Sequence, residues 1–428
     1  MRQLYTLVLY LLLPGVMARL LWRSIKSPDY RHRWKERFGL WQHSPAPGGI
    51  WIHAVSVGEV QAVDPLVRHL KEHYPRLPLT ITTSTPTGSE RVRLLFSETV
   101  FHVYCPYDLP GAVQRFVDKV RPCLLIMIET EIWPNLLAIC EQRGIPALLA
   151  NGRLSARSAR GYARLGGFSR RVFAGISAVA AQSRADADRF IELGVPEQRV
   201  HVSGSIKFDM RIPASVQEQV QVLRRAWGDR PVWVAASTHE GEDEQVLAAH
   251  RMILEKAPLA LLVLVPRHPE RFGKVAALIQ RRGFQMARRS RGQACDEQIQ
   301  VFLGDTMGEL LVFLGGADVA FVGGSLVRVG GHNMLEAAAQ GVPVLFGPHV
   351  FNFSGIARLL RDREAGVMVQ DSEALGRQVS AWLRDASERS RIGENGRQVV
   401  EENRGALQRL VALADEFLPG QAGSERKS

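Results

Sequence analysis

Short apolar runs alternate with longer amphipathic segments from residue 50 to the end of the chain. A short apolar run that ends in glycine, serine or threonine predicts a buried strand, and apolar residues at helical spacing predict a helix. The predicted strands are 50–55, 79–83, 124–128, 147–150, 178–181, 200–202, 232–236, 260–265, 319–322, 344–346 and 367–369. The predicted helices are 57–74, one that includes 90–95, 134–143, 242–256, 271–282, 333–340, 372–385 and 388–415.

Strands that alternate with helices form parallel sheets covered by helices, so the pattern predicts an α/β fold. A chain of 428 residues is too long for one core and suits two domains. The polar segment 211–217, with Pro213, marks the boundary. We predict a membrane anchor over 1–22, an N-terminal Rossmann-like domain over 23–212, a C-terminal Rossmann-like domain over 213–415 and a polar tail over 416–428. Ligands of such domains bind beyond the carboxyl ends of the strands, and two facing domains would enclose a cleft.

The start of the chain is apolar over residues 4–17 and then becomes basic. The basic residues are Arg19, Arg23, Lys26, Arg31, Arg33, Lys35 and Arg37. Because positive residues stay on the cytoplasmic side, we place the body of the protein at the cytoplasmic face of an inner membrane. A signal peptide is the competing interpretation, but the basic cluster follows the apolar run and no small-residue cleavage motif comes directly after that run. The pattern leaves open whether the segment spans the bilayer or lies in the interface.

The formal net charge of +11 favours anionic partners such as anionic lipids, phosphorylated substrates or nucleic acid. The sequence does not interleave basic and aromatic residues, so we expect no nucleic-acid partner. P-loop, dinucleotide-binding GxGxxG, GxSxG and HExxH motifs are missing from the sequence. Asp186 and Asp188 formally match an acidic metal-binding pair, but they lie in a helical surface pattern. We therefore expect neither a metal nor a cofactor.

The strongest candidate acid in the first half is Glu59, which follows the first predicted strand in the stretch His53 to Glu59. A carboxylate there could act as a general base on an alcohol if burial raised its pKa. The alternative is a glutamate in the first turn of a helix that only complements the helix dipole. The motif alone leaves both interpretations open.

Three further groups in the first half are candidates for substrate contacts. The hydroxyl-rich stretch 83–88, which includes Thr85, could hold a phosphate or simply cap a helix. Glu129 and Glu131 follow an apolar strand, where they could contact a substrate or be solvated. A stripe of arginines could bind phosphates or form a solvated helix face. The stripe comprises Arg153, Arg157, Arg160 and Arg164.

The second half carries candidates for a nucleotide site. Arg267 and His268 follow a predicted strand, and Lys207 closes the first half near the expected cleft. The glycine-rich segment 330–336 opens a predicted helix, whose free N–H groups and dipole would attract an anion. Glu336 lies one turn into that helix, where its carboxylate could accept hydrogen bonds from ribose hydroxyls. A glycine-rich anion loop with an acidic residue on the same helix is the strongest single signal.

Taken in order, these motifs resemble those of the Kdo (3-deoxy-D-manno-oct-2-ulosonic acid) transferases of lipopolysaccharide synthesis. The resemblance covers nearly the whole chain. The matching motifs are RWKERFG (33–39), VSVGE (55–59), STPTG (84–88), ETEIWPN (129–135), NGRLSARS (151–158), GSIKFD (204–209), STHEGE (237–242), VPRHPER (265–271), GDTMGEL (304–310), FVGGSL (321–326), GGHNMLEAAAQGVPVLFGP (330–348) and NF (352–353).

The resemblance implies a GT-B glycosyltransferase fold, CMP-Kdo as the donor and a phosphorylated, tetraacylated lipid A precursor, lipid IVA, as the acceptor. It also implies that Glu59 is the general base in a metal-independent, inverting displacement. The residues expected to bind the donor are Lys207, Arg267, His268, Gly324, Ser325, Gly331, Asn333 and Glu336. The residues expected to contact the acceptor are Ser56, Thr85, Glu129, Glu131, Arg153 and Arg157. Anionic inner-membrane lipids are the further expected partners.

Two alternatives remain open at this point. One is a related enzyme of the same fold that uses UDP-N-acetylglucosamine, either as a transferase or as an epimerase. The other is a basic membrane-binding protein without catalytic activity. The donor preference separates the first alternative from Kdo transfer, and replacement of Glu59 separates the second.

Overall fold

The computed structural model of the chain describes residues 1–26, 32–210 and 212–418. The chain forms two compact units, Met1–Asp209 with Arg404–Ser428, and Met210–Asn403. Arg31 of the basic cluster, Arg211 at the predicted boundary and positions 419–428 of the predicted tail lie outside the described residues.

Within its described residues, the first unit contains one sheet of seven parallel strands in the order β3-β2-β1-β4-β5-β6-β7. The strands are β1 Ile50–His53, β2 Leu79–Thr83, β3 Phe101–Tyr104, β4 Leu124–Ile128, β5 Ala147–Gly152, β6 Ala178–Ala181 and β7 Val200–Val202. Strands β1, β2 and β4 are buried at every position. Strand β4 is accordingly a continuous apolar run, as strands of a parallel sheet with both faces covered often are, whereas β2 also buries Thr80, Thr82 and Thr83.

Several helices of the first unit begin with a serine or threonine cap. The α-helices of this unit that precede β7 are α1 Arg2–Lys26, α2 Val57–Ala62, α3 Asp64–His73, α4 Pro86–Phe96, α5 Pro110–Val120, α6 Pro134–Gln142, α7 Ala156–Ala163, α8 Gly167–Ala174 and α9 Arg184–Glu192. Ser56, Thr85 and Ser183 accept a backbone N–H of the following turn. The predicted single helix from 57 to 74 is split at Val63, because Pro65 is compatible only with the first turn of a new helix.

The second unit contains, within its described residues, another sheet of seven parallel strands in the order β10-β11-β9-β8-β12-β13-β14. The strands are β8 Val232–Thr238, β9 Leu261–Pro266, β10 Met286–Arg288, β11 Val301–Leu303, β12 Val319–Val322, β13 Val344–Phe346 and β14 Gly366–Met368. Its helices are α10 Ala214–Trp227, α11 Asp243–Lys256, α12 Phe272–Arg281, α13 Leu310–Gly315, α14 Leu335–Ala338, α15 Ser354–Asp362, α16 Ser372–Arg384 and α17 Ala386–Glu402. The prediction of two parallel-sheet domains is therefore confirmed.

The last helix, α18 Ala406–Asp415, belongs to the first unit and not to the second. The predicted helix over 388–415 is interrupted before Gly405, whose φ of 89° lies in the left-handed region. The Asp209 carboxylate accepts the backbone N–H groups of Gly405 and Leu407, each at 2.6 Å. The second unit therefore starts three residues before the predicted C-terminal domain over 213–415 and ends before residues 404–415, which the prediction assigned to it. The units divide after Asp209, and the chain crosses back at residue 404.

The predicted polar tail also begins too early. Leu410 on α18 is fully buried in the same apolar cluster as Ile50 and Ile52 of β1. Leu418 is only 6% exposed in that cluster, and Phe417 packs against it. Phe417 and Leu418 therefore close the core of the first unit.

The N-terminal helix α1 is long and apolar enough to cross a membrane, judged by length and composition alone. Its large side chains are exposed along most of its length, as Leu7, Leu11 and Trp22 illustrate. An apolar helix with such an exposed surface is a candidate membrane anchor.

Candidate functional site

The loop between β1 and α2 fixes the position of Glu59. The backbone N–H of Glu59 donates to Oγ of Ser56 at 3.3 Å, and the Ser56 hydroxyl donates to Oε1 of Glu59 at 2.8 Å. The N–H of Val55 donates to Oε2 at 2.8 Å. This arrangement closely resembles a capping box, in which a serine and a glutamate satisfy the first turn reciprocally. The structural role considered for Glu59 is therefore present, and Ser56 serves it directly.

Burial changes the acidity of this carboxyl group. Glu59 is only 8% exposed, and its burial together with the nearby Glu131 and Glu129 raises its pKa to about 8. The hydrogen bonds from Ser56 and Val55 oppose that shift, because they stabilise the ionised form. A carboxyl group whose pKa lies near neutral pH is suited to taking up and releasing a proton. The same geometry therefore serves a cap and a candidate base.

A second carboxylate, Glu131, is held by aromatic side chains at the end of β4. The indole N–H of Trp133 donates to its Oε2 at 2.8 Å. The Nε2 atom of His53 lies 4.0 Å from the same oxygen, and the rings of His53 and Trp133 meet edge to face at 5.2 Å. Burial lowers the pKa of His53 to about 3, so this imidazole is neutral. Burial and the nearby Glu129 raise the pKa of Glu131.

The third carboxylate, Glu129, forms an ion pair with Lys207 at 2.9 Å. Glu129 has a φ of 59°, a left-handed conformation that is strained for a residue with a side chain. Strained residues of this kind cluster at functional sites. Lys207 lies in the first unit with these acids, whereas the other residues predicted to bind the donor lie in the second unit.

The remaining candidates for acceptor contacts lie on loops and helix starts of the first unit. The Thr85 hydroxyl accepts the N–H of Gly88 at 3.1 Å and so caps α4. The carbonyl of Arg153 accepts the hydroxyl of Thr130 at 2.8 Å, which brings its backbone next to the acidic loop. Arg157 is exposed on α7, but Arg153 precedes that helix. The predicted arginine stripe is therefore not one continuous helical face.

In the second unit, three imidazoles lie together at the carboxyl ends of β8 and β9. The Nε2 atoms of His239 and His332 are 2.8 Å apart, and their rings stack at 5.1 Å. The ring of His268 meets that of His239 edge to face at 5.3 Å. Burial, followed by the charges of His239, Arg267 and His268, lowers the pKa of His332 to about 3. The cluster therefore combines the fixed charge of Arg267 with a neutral imidazole.

Four residues predicted to bind the donor come together here. Asn333 donates its amide N–H to Oε1 of Glu336 at 3.2 Å. Burial raises the pKa of Glu336, and the charge of Arg267 opposes the shift, as does the hydrogen bond from Asn333. The charge of Arg267 also acts on His268, whose pKa is lowered mainly by burial. Arg267 thus provides a fixed positive charge next to side chains that can accept or donate hydrogen bonds.

A residue that the sequence did not single out, Glu242, supports the glycine loop after β12. Its side chain is fully buried. It accepts the backbone N–H groups of Gly324 at 2.6 Å, and of Ser325 and Leu326 at 2.9 Å each. It also accepts the N–H of His239 at 2.9 Å. The position reads as a polar residue at the start of a helix, so the pattern gave little sign that it is buried.

Two expectations about this loop need correction. The hydroxyl of Ser325 is fully buried and donates to the carbonyl of Val322, while it accepts the N–H of Gly347, so it is committed within the protein. The predicted helix over 333–340 is only the four-residue α14. One turn cannot supply the helix dipole expected for anion binding, and Arg267 is the charge available instead. Gly324 and Gly331 have φ of 66° and 78°, which explains why glycine is required at both positions.

The described part of the chain contains no group of three or more His, Cys, Asp or Glu side chains placed to hold a metal ion. Asp186, one of the acidic pair noted in the sequence, accepts the hydroxyl of Ser183, the N-cap of α9, and the N–H of Leu154 at 2.9 Å. Its carboxylate is thus engaged in holding a loop.

Comparison with known proteins gives consistent matches over both units. A family model described as 3-deoxy-D-manno-octulosonic-acid transferase (kdotransferase) matches residues 32–210, and one described as glycosyl transferases group 1 matches residues 229–399. The 3-deoxy-D-manno-octulosonic acid transferase of Haemophilus influenzae is 47% identical, over 97% of this chain and 99% of its own length. That of Bordetella pertussis is 36% identical, over 97% and 99%.

Solved structures also share the fold. The UDP-GlcNAc 2-epimerase of Neisseria meningitidis, solved with UDP-GlcNAc bound, superposes with a TM-score of 0.58. It is 12% identical in sequence, and the match covers 86% of this chain and 99% of the epimerase. At that identity the likeness concerns the fold alone.

Proposed function

This chain belongs to the family of 3-deoxy-D-manno-octulosonic acid (Kdo) transferases, and from that membership we propose its donor, its acceptor and its chemistry. The protein is a glycosyltransferase that transfers Kdo, and its fold is GT-B-like. The epimerase alternative loses its support, because the epimerase match is weak in sequence while the transferase matches are strong over nearly the whole chain.

We propose CMP-Kdo as the donor and a phosphorylated, tetraacylated lipid A precursor, lipid IVA, as the acceptor. A hydroxyl oxygen of the acceptor attacks the anomeric carbon of Kdo as the bond from that carbon to the phosphate oxygen of CMP breaks. The electron pair of that bond leaves with CMP, and the acceptor proton passes to Glu59. A single displacement of this kind inverts the configuration at the anomeric carbon.

The observation that carries this mechanism is the state of Glu59. It is a buried carboxyl group whose pKa is raised to about 8, mainly by burial, and it lies at the carboxyl end of a central strand. Hydrogen bonds from Val55 and Ser56 hold both oxygens in fixed directions. A base that is fixed and near its pKa at working pH needs little reorganisation to accept a proton.

The second unit supports the choice of a nucleoside monophosphate as the leaving group. Arg267 supplies a guanidinium that can bind two phosphate oxygens. Asn333 and Glu336 can donate to and accept from a nucleoside. We propose that no metal ion is needed, because a monophosphate leaving group carries less negative charge than a diphosphate. The guanidinium of Arg267 can stabilise the negative charge that develops on the phosphate as CMP leaves.

The acceptor is a lipid, and the N-terminal helix suits that substrate. We propose that α1 holds the protein at the cytoplasmic face of an inner membrane, with Arg19 and Arg23 near anionic headgroups. Arg153 and Arg157 are proposed to meet the phosphates of the acceptor, because guanidinium groups bind phosphate in two-point contacts.

The test is a product assay with the full chain in vesicles. CMP-Kdo, UDP-N-acetylglucosamine and UDP-glucose are each supplied with the tetraacyl precursor, with and without EDTA, and the products are weighed by mass spectrometry. We expect addition of Kdo from CMP-Kdo alone, at a rate that EDTA leaves unchanged. Transfer from a UDP-sugar, or loss of transfer with EDTA, would contradict the proposal.

A further inference from the structure

The first turn of α1 is tied to the first unit by polar contacts. The Tyr5 hydroxyl donates to Oδ2 of Asp108 at 2.9 Å. The Thr6 hydroxyl donates to Oδ1 of Asn135 at 3.1 Å, and the ring of Tyr5 lies 5.9 Å from that of Phe168. A bilayer anchor alone would not need directional hydrogen bonds to the protein body. The contacts therefore indicate a defined docking position for this end of α1.

Asp108, whose carboxylate accepts the hydrogen bond from Tyr5, also binds the start of α6. Its Oδ1 accepts the N–H of Leu136 at 2.7 Å, and its Oδ2 accepts the N–H of Asn135 at 3.0 Å. The Asn135 side chain returns an N–H to the carbonyl of Asp108 at 2.7 Å. The carboxylate thus caps α6 from a distant point in the sequence, as an N-cap residue would do locally. Asp108 is only 7% exposed, so each of these hydrogen bonds matters for its solvation.

The helix that Asp108 caps follows directly from the acidic loop. Trp133 is the residue before α6, and its indole N–H holds Glu131. A shift of the first turn of α6 would move Trp133 and, with it, the oxygen that faces His53. Three consecutive contacts therefore connect Tyr5 with Glu131: hydroxyl to carboxylate, carboxylate to helix start, and indole to carboxylate.

The exposed apolar part of α1 begins close to the hydrogen bond between Tyr5 and Asp108. Leu7 is 55% exposed and Leu11 is 71% exposed, within two turns of Tyr5. When these side chains enter a bilayer, the position of α1 relative to the membrane also sets the position of Tyr5. The hydrogen bond between Tyr5 and Asp108 thus lies between the exposed apolar part of α1 and the loop that carries Glu131.

We propose that Tyr5 is a positioning residue for Kdo transfer, whose hydrogen bond to Asp108 couples the membrane-anchored helix α1 to the loop that carries Glu129 and Glu131. The inference rests on the proposed role of the acidic site in acceptor use. In this arrangement α1 does more than concentrate the enzyme at the membrane. Through Asp108 and the start of α6, it also helps to hold the loop with Glu129 and Glu131 in position for the acceptor.

The test compares Tyr5→Phe with Tyr10→Phe in the full chain bound to vesicles that contain the lipid acceptor. Tyr10 is a matched control, because it lies on the same helix and is 50% exposed. We expect Tyr5→Phe to lower kcat/KM for the acceptor about three- to tenfold, within the range of one hydrogen bond to a charged group. Vesicle binding and KM for CMP-Kdo should match those of Tyr10→Phe, and the loss of a hydrogen bond to a buried carboxylate should lower the thermal midpoint of Tyr5→Phe while both variants stay folded at the assay temperature.

Two outcomes would overturn the inference: equal kinetics in the two variants, or a loss in Tyr5→Phe that is explained by weaker vesicle binding or by unfolding at the assay temperature. Asp108→Asn supplies a second measure, since Tyr5→Phe should add little to its effect if both act through one contact. Full additivity would contradict the coupling. Lack of transfer by the unaltered chain would instead overturn the proposed function, so the two failures are distinguishable.

Discussion

The ammonium group of Lys207 lies 2.9 Å from Oε1 of Glu129, and the pair is largely shielded from solvent, with side chains 19% and 22% exposed. Burial is the main cause of the raised pKa of Glu59 and of Glu131, and the charge of Glu129 adds to both shifts. Lys207 is therefore the positive charge that balances one of three neighbouring acids. Its position gives it an influence on the proposed base without direct contact.

Replacing Lys207 should disturb the acidic site through charge. In Lys207→Met, the negative charge of Glu129 is uncompensated, which disfavours ionisation of Glu59 and raises its pKa further. We expect kcat/KM at pH 7 to fall about three- to tenfold and the acidic limb of the pH–rate profile to move to higher pH. The control is Lys274→Met, an exposed lysine of the second unit. An unchanged profile in Lys207→Met would contradict this role.

The unaltered enzyme should itself show the raised pKa. Below pH 8 the Glu59 carboxyl is mainly protonated and cannot accept the proton of the acceptor. We therefore expect kcat/KM for the acceptor to rise about tenfold per pH unit on the acidic side and to level off near pH 8. The profile is measured at saturating CMP-Kdo. A rate that is already constant from pH 6 upward would show that the essential base has an ordinary carboxyl pKa.

The glycine loop of the second unit should depend on Glu242. In the native chain both carboxylate oxygens of Glu242 accept backbone N–H groups of the loop. Glu242→Gln replaces one of these oxygens with an NH2 group, which cannot accept, so at least one buried N–H loses its hydrogen bond. We expect a loss of stability of about 2–4 kcal/mol and a CMP affinity at least about tenfold weaker. Denaturant unfolding and calorimetric titration with CMP measure the two effects.

Glu240→Gln is the matched control, because Glu240 is exposed and stands two positions away. It should leave both stability and CMP affinity unchanged. A Glu242→Gln variant that binds CMP as the control does would show that the loop keeps its shape without the carboxylate.

Much of the fold is legible in the sequence because both sheets are parallel and covered on both faces. Strands such as β4 and β12 read as uninterrupted apolar runs between turn residues. Strand β3 was missed, since Phe101 and His102 are only half-buried at the edge of the sheet. Strands β10 and β11 were missed as well, although the equally short β7, β13 and β14 were predicted; β10 ends in the partly exposed Arg288 and so is not an apolar run.

The features that the pattern could not give depend on contacts between distant positions. The return of α18 rests on Asp209 meeting Gly405, which is 196 positions away. Likewise, His239 and His332 are 93 positions apart, and neither stretch indicates that the two imidazoles meet. No periodicity encodes such pairs.

Glu59 shows the other side of this limit. The spacing of Ser56 and Glu59 is itself a capping signature, and the structure forms that cap. The position after a strand identified the residue as a candidate base. Its raised pKa depends mainly on burial by the folded chain, and to a smaller extent on Glu131 and Glu129, more than sixty positions away, so the sequence could state it only as a condition.

The central claim is that Glu59 takes the acceptor proton, and the most direct test is the rate of the chemical step in Glu59→Gln. Single-turnover transfer from bound CMP-Kdo is compared with Glu90→Gln, an exposed glutamate of the same unit. We predict that Glu59→Gln slows this step about 10²- to 10⁴-fold while CMP affinity and the folded state persist, and that Glu90→Gln is unchanged. A folded Glu59→Gln enzyme that transfers Kdo at the rate of the unaltered chain would contradict the account.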